Sequence, residues 1–207
     1  LIDWATEVGG WLSDRPAVLW NLYVQTGDLK WLRHAHRATA FYASWLDRSG
    51  TAGPTARGAF RKKPVAGEGD RGDPKYSTSG GLLAAWLLSG RTAWRDAIDD
   101  VAAFVGEIPT RLPPADRRTG LWTERQVAVA LSGAINAYQA TGRASHRERA
   151  DAIVAGLGRD ARSPPSGYPE APGGRGVLLH RAEVHEGEGR NGWVLSPWMS
   201  ALLMEAV

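Results

Sequence analysis

The chain has 207 residues, 43% of them hydrophobic and 23% charged, which is the balance of a globular domain. Because it contains no cysteine, disulfide frameworks, thiolate metal sites and cysteine nucleophiles are excluded. The net charge of +3 comes from 25 basic and 22 acidic residues spread along the chain, and no apolar run approaches the length of about 18 residues typical of a membrane span. We therefore expect neither nucleic acid nor a membrane as a partner.

A glycine-centred segment recurs three times along the chain. The three copies run over Leu22–Leu32, Ala85–Arg95 and Ala137–Arg147, with an aromatic residue four positions before each glycine. A glycine between two helical patterns is typical of a left-handed helix cap. Each copy therefore predicts a helical hairpin with a tight turn.

The two helices of each hairpin differ in their patterns. The second helices, over 28–48 and 92–106, are amphipathic, whereas the first helices, over 80–89 and 127–137, are apolar nearly all round. A helix that is apolar on every side is buried, so we expect the first helices inside and the second helices outside. The apolar segment 194–207 predicts a further inner helix.

The connections between hairpins are much longer than the turns within them. They cover 49–77, 107–121 and 159–192, and the last contains a strand-like segment that predicts a short β-hairpin near 177–186. All three links precede an inner helix and so lie at one end of the bundle. Since long loops in compact domains are usually functional, this end is where we expect the site.

In these features the chain resembles the (α/α) toroid, or six-hairpin glycosidase, superfamily, which includes glycoside hydrolases, polysaccharide lyases and uronyl epimerases. The residues that carry the resemblance are Leu22–Leu32, Lys75–Gly81 with its helix, and Trp122–Arg143, and the likeness covers most of 16–158 and 192–207. It implies an all-α fold of helical hairpins in an incomplete toroid, with 1–207 as one domain. Because a closed toroid has six hairpins, we expect the chain to be part of a longer protein.

The resemblance also implies a polysaccharide partner, and the many arginines favour one that contains uronate. We expect no cofactor, and a carbohydrate-active parent protein favours a secreted or periplasmic location. A hydrolase of this kind needs two carboxylates, one as acid and one to activate water. A lyase needs a tyrosine or histidine base with cations that stabilise the enolate-like charge. The alternatives are a non-catalytic hairpin scaffold that binds a glycan or partner, and a cyclase-like toroid with an apolar cavity.

The first candidate site lies at the end of the first link. Here Asp70, Asp73, Lys75 and Tyr76 fall within seven residues, a set that can supply a general acid, a base or a clamp for a uronate. The competing interpretation is a solvated turn whose charges pair with one another.

A second candidate opens the next inner helix. Trp122 can stack on a sugar face, and Glu124 and Arg125 point toward the cleft in this arrangement. Thr123 and Gln126 form a capping-box pattern, and an acid is favoured in a first helical turn, so the same residues also have a purely structural explanation.

The third candidate lies in and after the last link. His180 and His185 have odd spacing, which places them on opposite faces of a strand and makes them poor partners for one metal; either can carry a proton, and His185 is the stronger catalytic candidate. Asn191 and Trp193 are expected to contact substrate. No metal or nucleotide motif is present in the sequence.

Overall fold

The computed structural model describes residues 14–48, 57–60, 74–112, 122–169, 178–182 and 192–207. Most of these residues are helical, as the all-α prediction requires. The seven α-helices are α1 (Arg15–Thr26), α2 (Leu29–Ser44), α3 (Gly80–Ser89), α4 (Thr92–Gly106), α5 (Glu124–Thr141), α6 (Ala144–Arg162) and α7 (Pro197–Ala206). A 3-10 turn covers Pro74–Tyr76, and β1 (His180–Arg181) pairs antiparallel with β2 (Trp193–Val194).

Each repeat glycine ends an inner helix in the left-handed conformation. Gly27, Gly90 and Gly142 have φ angles of 67°, 65° and 69°. The N–H group of each donates a 2.8 Å hydrogen bond to the carbonyl oxygen of the aromatic residue four positions earlier, which satisfies one of the open carbonyls at the helix end. The pairs α1–α2, α3–α4 and α5–α6 are therefore three hairpins, and this prediction is confirmed.

The first helices of the hairpins and α7, here called the inner helices, contact one another in order: α1 packs against α3, α3 against α5 and α5 against α7. Each of α2, α4 and α6 packs against its hairpin partner, and α4 also packs against α5. Small residues allow this close packing: a Cβ atom added at Gly133 of α5 would lie 2.5 Å from Cγ2 of Val105 in α4. Leu87 and Leu88 near the end of α3 are exposed, so this helix is not buried on every side as predicted. The largest buried side chains of the shared core include Trp20, Tyr42, Phe60, Ile98 and Leu131.

The helix α5 reaches further toward the long links than its neighbour α3. It has 18 residues against 10 in α3, and both end at equivalent glycines. At 1.5 Å per residue, the first eight residues of α5 extend about 12 Å beyond the start of α3. Although α5 and α6 are long, neither they nor any other described helix is apolar enough to cross a membrane.

The described parts of the long links are tied to the helices by specific polar contacts. In the second link, Arg111 and the backbone N–H of Leu112 both bind the buried carboxylate of Asp160 in α6, with 2.8 Å from Arg111 Nε to Oδ2 and 3.0 Å from the Leu112 nitrogen. In the third link, the predicted strand is present at His180–Arg181, but its partner β2 lies outside the predicted range 177–186. These ties hold the link segments against the end of the bundle.

Candidate functional site

A carboxylate and an imidazole meet at the loop-side end of α5. Nδ1 of His180, on β1, lies 2.7 Å from Oε2 of Glu124, the first residue of α5. Neither side chain is exposed to solvent, with 0% relative accessibility for both. Because a carboxylate only accepts hydrogen bonds, Nδ1 carries the proton toward Glu124, and Nε2 is the nitrogen that exchanges a proton when the imidazole is neutral.

Local sequence explains why Glu124 stands at this point. Thr123 is the N-cap of α5, and its hydroxyl oxygen accepts the N–H of Gln126 at 3.2 Å. The first helical turn that follows carries the positive end of the helix dipole, which favours an acid there. The predicted capping box is half formed, because the side-chain oxygen of Gln126 has no hydrogen-bond partner among the described residues.

Two further buried polar atoms in this segment have open hydrogen-bonding capacity. Oε1 of Glu124 and Nε1 of Trp122 are both inaccessible to solvent and lack a partner within the described part of the chain. Leaving such a buried group unpaired costs about 1–3 kcal/mol. Oε1 of Glu124 is a hydrogen-bond acceptor and Nε1 of Trp122 is a donor. The segment can therefore both accept a hydrogen bond from a hydroxyl group and donate one to it.

The arginines that directly follow Glu124 and His180 in the sequence each lie over an aromatic ring. The ring of Trp193 on β2 meets the ring of Tyr168 edge to face at 4.6 Å. The guanidinium of Arg181, opposite Trp193 in the sheet register, lies 5.3 Å from that ring. On the other side, the guanidinium of Arg125 lies 5.3 Å from the ring of Trp198 at the start of α7. The end of α5 therefore brings flat apolar faces and cations together.

Tyr76, a predicted catalytic residue, is half-buried in the 3-10 turn before α3. Its backbone is fixed by Tyr42 of α2, whose hydroxyl lies 2.8 Å from the carbonyl oxygens of Tyr76 and Thr78 and accepts the N–H of Thr78 at 2.8 Å. Burial, with the Asp14 carboxylate nearby, raises the pKa of Tyr42. Tyr42 is therefore a protonated structural anchor rather than a base.

Asp14 joins the beginnings of two inner helices. Its carboxylate accepts the N–H groups of Ala17 in α1 at 3.3 Å and of Gly81 in α3 at 3.1 Å. Burial raises the pKa of this carboxyl, while these backbone hydrogen bonds act in the opposite direction. The residue has φ 47°, the one positive value among the described residues other than glycine. The double cap accounts for the strained backbone.

The structure brings several sequence candidates together. Trp122, Glu124 and Arg125 lie at the start of α5, but all three are buried rather than open to a cleft. Trp193, on the strand that pairs with the His180 strand, is half-buried. The other candidates, Asp70, Asp73, His185, Asn191 and the side chain of Lys75, lie outside the described residues.

Sequence reasoning placed too little weight on His180 and missed Tyr168 and Trp198. Glu124 and His180 are 56 positions apart, and no local pattern links residues at that separation. The one local signal was the strand-like pattern around His180, and the structure places a short strand there. Tyr168 lies in an irregular part of a long link and has no periodic context.

No group of three His, Asp or Glu side chains within the described ranges is arranged to hold a metal ion. Comparisons of the chain with protein-family models, with characterised proteins and with solved structures find no match. The chemistry of this site therefore has to be argued from its own geometry.

Proposed function

We propose that the protein is a carbohydrate-active enzyme that cleaves a uronate-containing polysaccharide by β-elimination, on an incomplete (α/α) toroid. The observation that carries the proposal is the Glu124–His180 pair at the loop-side end of α5. A carboxylate that holds Nδ1–H of an imidazole orients the ring and stabilises its charged form, which makes Nε2 an effective base.

In the proposed reaction Nε2 of His180 takes the proton from C5 of the uronate, next to its carboxylate. The electron pair of that C–H bond forms a C4–C5 double bond, the C4–O glycosidic bond breaks, and the imidazolium of His180 gives the proton from Nε2 to the departing oxygen. Arg125, which follows Glu124 in the first turn of α5, supplies positive charge near the site, which favours the anionic intermediate. Trp193 offers a face on which a sugar ring can stack.

A hydrolase is less well supported by the described residues. Such an enzyme needs two carboxylates that face the substrate. At the loop-side end of the inner helices, Asp14 is bound by two helix ends and Glu124 by His180. A hydrolase would therefore need a carboxylate from outside the described residues, such as the sequence candidates Asp70 and Asp73.

A second candidate, a non-catalytic glycan-binding scaffold, is favoured by one observation. Neither Glu124 nor His180 is exposed, so a substrate cannot reach Nε2 in the conformation described. A buried ion pair that merely anchors β1 to α5 would have the same geometry.

The experiment is an assay of the purified protein on polygalacturonate, alginate and a glucuronate-containing glycosaminoglycan. Ultraviolet absorbance follows the new double bond, and a second assay follows reducing ends. We expect both signals to rise together for one substrate, and His180→Gln and Glu124→Gln to lower the rate at least a hundredfold. His34→Gln, on the outer helix α2, is the matched control and should leave the rate unchanged.

Each other outcome decides against the proposed elimination. Reducing ends without a double bond would indicate a hydrolase. Glycan binding measured by calorimetry without any product would indicate the scaffold. The absence of both product and binding would contradict the carbohydrate assignment for these substrates.

A further inference from the structure

The hydroxyl of Tyr168 is bound on both sides by the backbone of one residue. It accepts the N–H of Leu179 at 2.8 Å and donates to the carbonyl oxygen of the same residue. Leu179 directly precedes His180, so the phenol fixes the peptide groups that lead into the imidazole. Burial, together with the nearby carboxylates of Glu124 and Asp160, raises the pKa of Tyr168, and its hydroxyl therefore stays a donor at neutral pH.

The strand that carries His180 is too short to define its own position. β1 has two residues and its described sheet has two strands, and isolated sheets of this size are marginal in water. A slip of one residue would turn the side chains to opposite faces. Arg181 would then face Glu124 in place of His180.

Tyr168 contacts both strands of this sheet. Its hydroxyl binds the segment before β1, while its ring packs edge to face on Trp193 of β2 at 4.6 Å. A further hydrogen bond, from the N–H of Ala182 to the carbonyl of Gly192 at 3.0 Å, closes the sheet on its other side. Tyr168 therefore contacts both the segment that leads into β1 and the strand β2 that pairs with it.

We propose that Tyr168 is a positioning residue that sets the register of β1 and thereby holds the imidazole of His180 against Glu124. The effect of Tyr168 on catalysis rests on the proposed elimination. Its effect on the position of the His180 ring does not, because that effect is independent of the reaction.

The test compares Tyr168→Phe with the wild-type protein by nitrogen-15 NMR of the histidine rings. In the wild type we expect a proton on Nδ1 of His180 that exchanges slowly and shows the low-field shift of a bond to a carboxylate. In the variant we expect this signal to be lost and the Leu179 amide to exchange about tenfold faster, since one net hydrogen bond is worth about that factor. Tyr138→Phe, at a more exposed ring on α5, is the matched control and should change neither signal.

A variant that loses thermal stability but keeps the wild-type His180 signal would overturn the proposal. If the variant does not fold, the test is made on the wild-type protein by measuring exchange of the Tyr168 hydroxyl proton. We expect this proton to exchange slowly and to lie close to Leu179. Rapid exchange would contradict the proposal.

The result can be separated from the proposed function. If the wild type cleaves a uronate polymer, Tyr168→Phe should lower kcat at least tenfold with KM changed less than twofold; a change in KM alone would contradict positioning. If the wild type shows no cleavage, the elimination fails, while the His180 spectrum still decides whether Tyr168 positions the ring.

Discussion

At the residue scale, the contact between the starts of α1 and α3 depends on the absence of a side chain at Gly81. A Cβ atom there would lie 2.3 Å from Cβ of Pro16 and 2.8 Å from the backbone nitrogen of Ala17. Alanine is the better helix former by about 1 kcal/mol, but a clash with backbone has no easy relief. We expect Gly81→Ala to lower the free energy of unfolding by about 2 kcal/mol, measured by urea denaturation.

The control is Gly106→Ala at the end of α4. The nearest atoms to a Cβ there belong to the flexible Arg149 side chain at 3.7 Å, which is ordinary contact. We expect a change within about 0.5 kcal/mol. Equal effects of the two substitutions would show that the close approach at Gly81 does not limit stability.

At the element scale, Asp160 fastens the second link to α6. Burial of this carboxyl acts to raise its pKa, but the hydrogen bonds from Arg111 and Leu112 outweigh burial and lower the pKa overall. A carboxylate with a lowered folded-state pKa stabilises the protein above its unfolded value near 3.9, and this contribution disappears as the pH falls through the folded value.

We therefore expect Asp160→Asn to lower the free energy of unfolding by about 2 kcal/mol at neutral pH, because it removes a charge-assisted pair. The difference from the wild type should shrink below about pH 4. Asp151→Asn, which removes an exposed pair with Arg147 on the same helix, should change stability by less than about 0.5 kcal/mol. A penalty for Asp160→Asn that is independent of pH would contradict this account.

The start of α5 shows how far sequence predicts a single element. Thr123 and Glu124 were identifiable because a cap and an acidic first turn are local requirements of any helix. Burial of Trp122 was not identifiable, because it depends on packing in the shared core against residues distant in the sequence. The contact of Glu124 with His180 is equally a product of tertiary packing.

At the scale of the whole molecule, the hairpins share one core, so they should unfold together. Leu131 is fully buried in α5, which packs against both α3 and α6. We expect Leu131→Ala to lower the free energy of unfolding by about 3 kcal/mol. Hydrogen exchange should show the most protected amides of α3 and α6 losing protection by the same factor.

Leu87→Ala is the control, since that side chain is 64% exposed and its loss should have little effect. If α6 kept its protection in Leu131→Ala while α3 lost it, the hairpins would be separate folding units.

The order of the hairpins was predictable from the sequence, whereas the solvent exposure of individual side chains was not. The three glycines fix the turns through a backbone conformation that other residues resist, so their pattern is visible in the sequence. The helical spacing of five tryptophans predicts that they belong to the core, and all five contact it: Trp20 is fully buried, and the half-buried rings packed against the core are those of Trp31, Trp45, Trp86 and Trp94. Two of these rings lie beneath exposed cations, with Lys30 near Trp31 and Arg91 near Trp94.

The three turn glycines have one more consequence. Nothing lies within 4 Å of the position of an added Cβ at Gly27, Gly90 or Gly142, so their positive φ angles, not crowding, disfavour an L side chain there. A residue of opposite chirality has no such conflict. D-alanine, introduced by chemical ligation, would fit each turn without strain and would reduce the number of conformations open to the unfolded chain. The stereochemistry of the amino acid, rather than its size, therefore determines which residues these three turns tolerate.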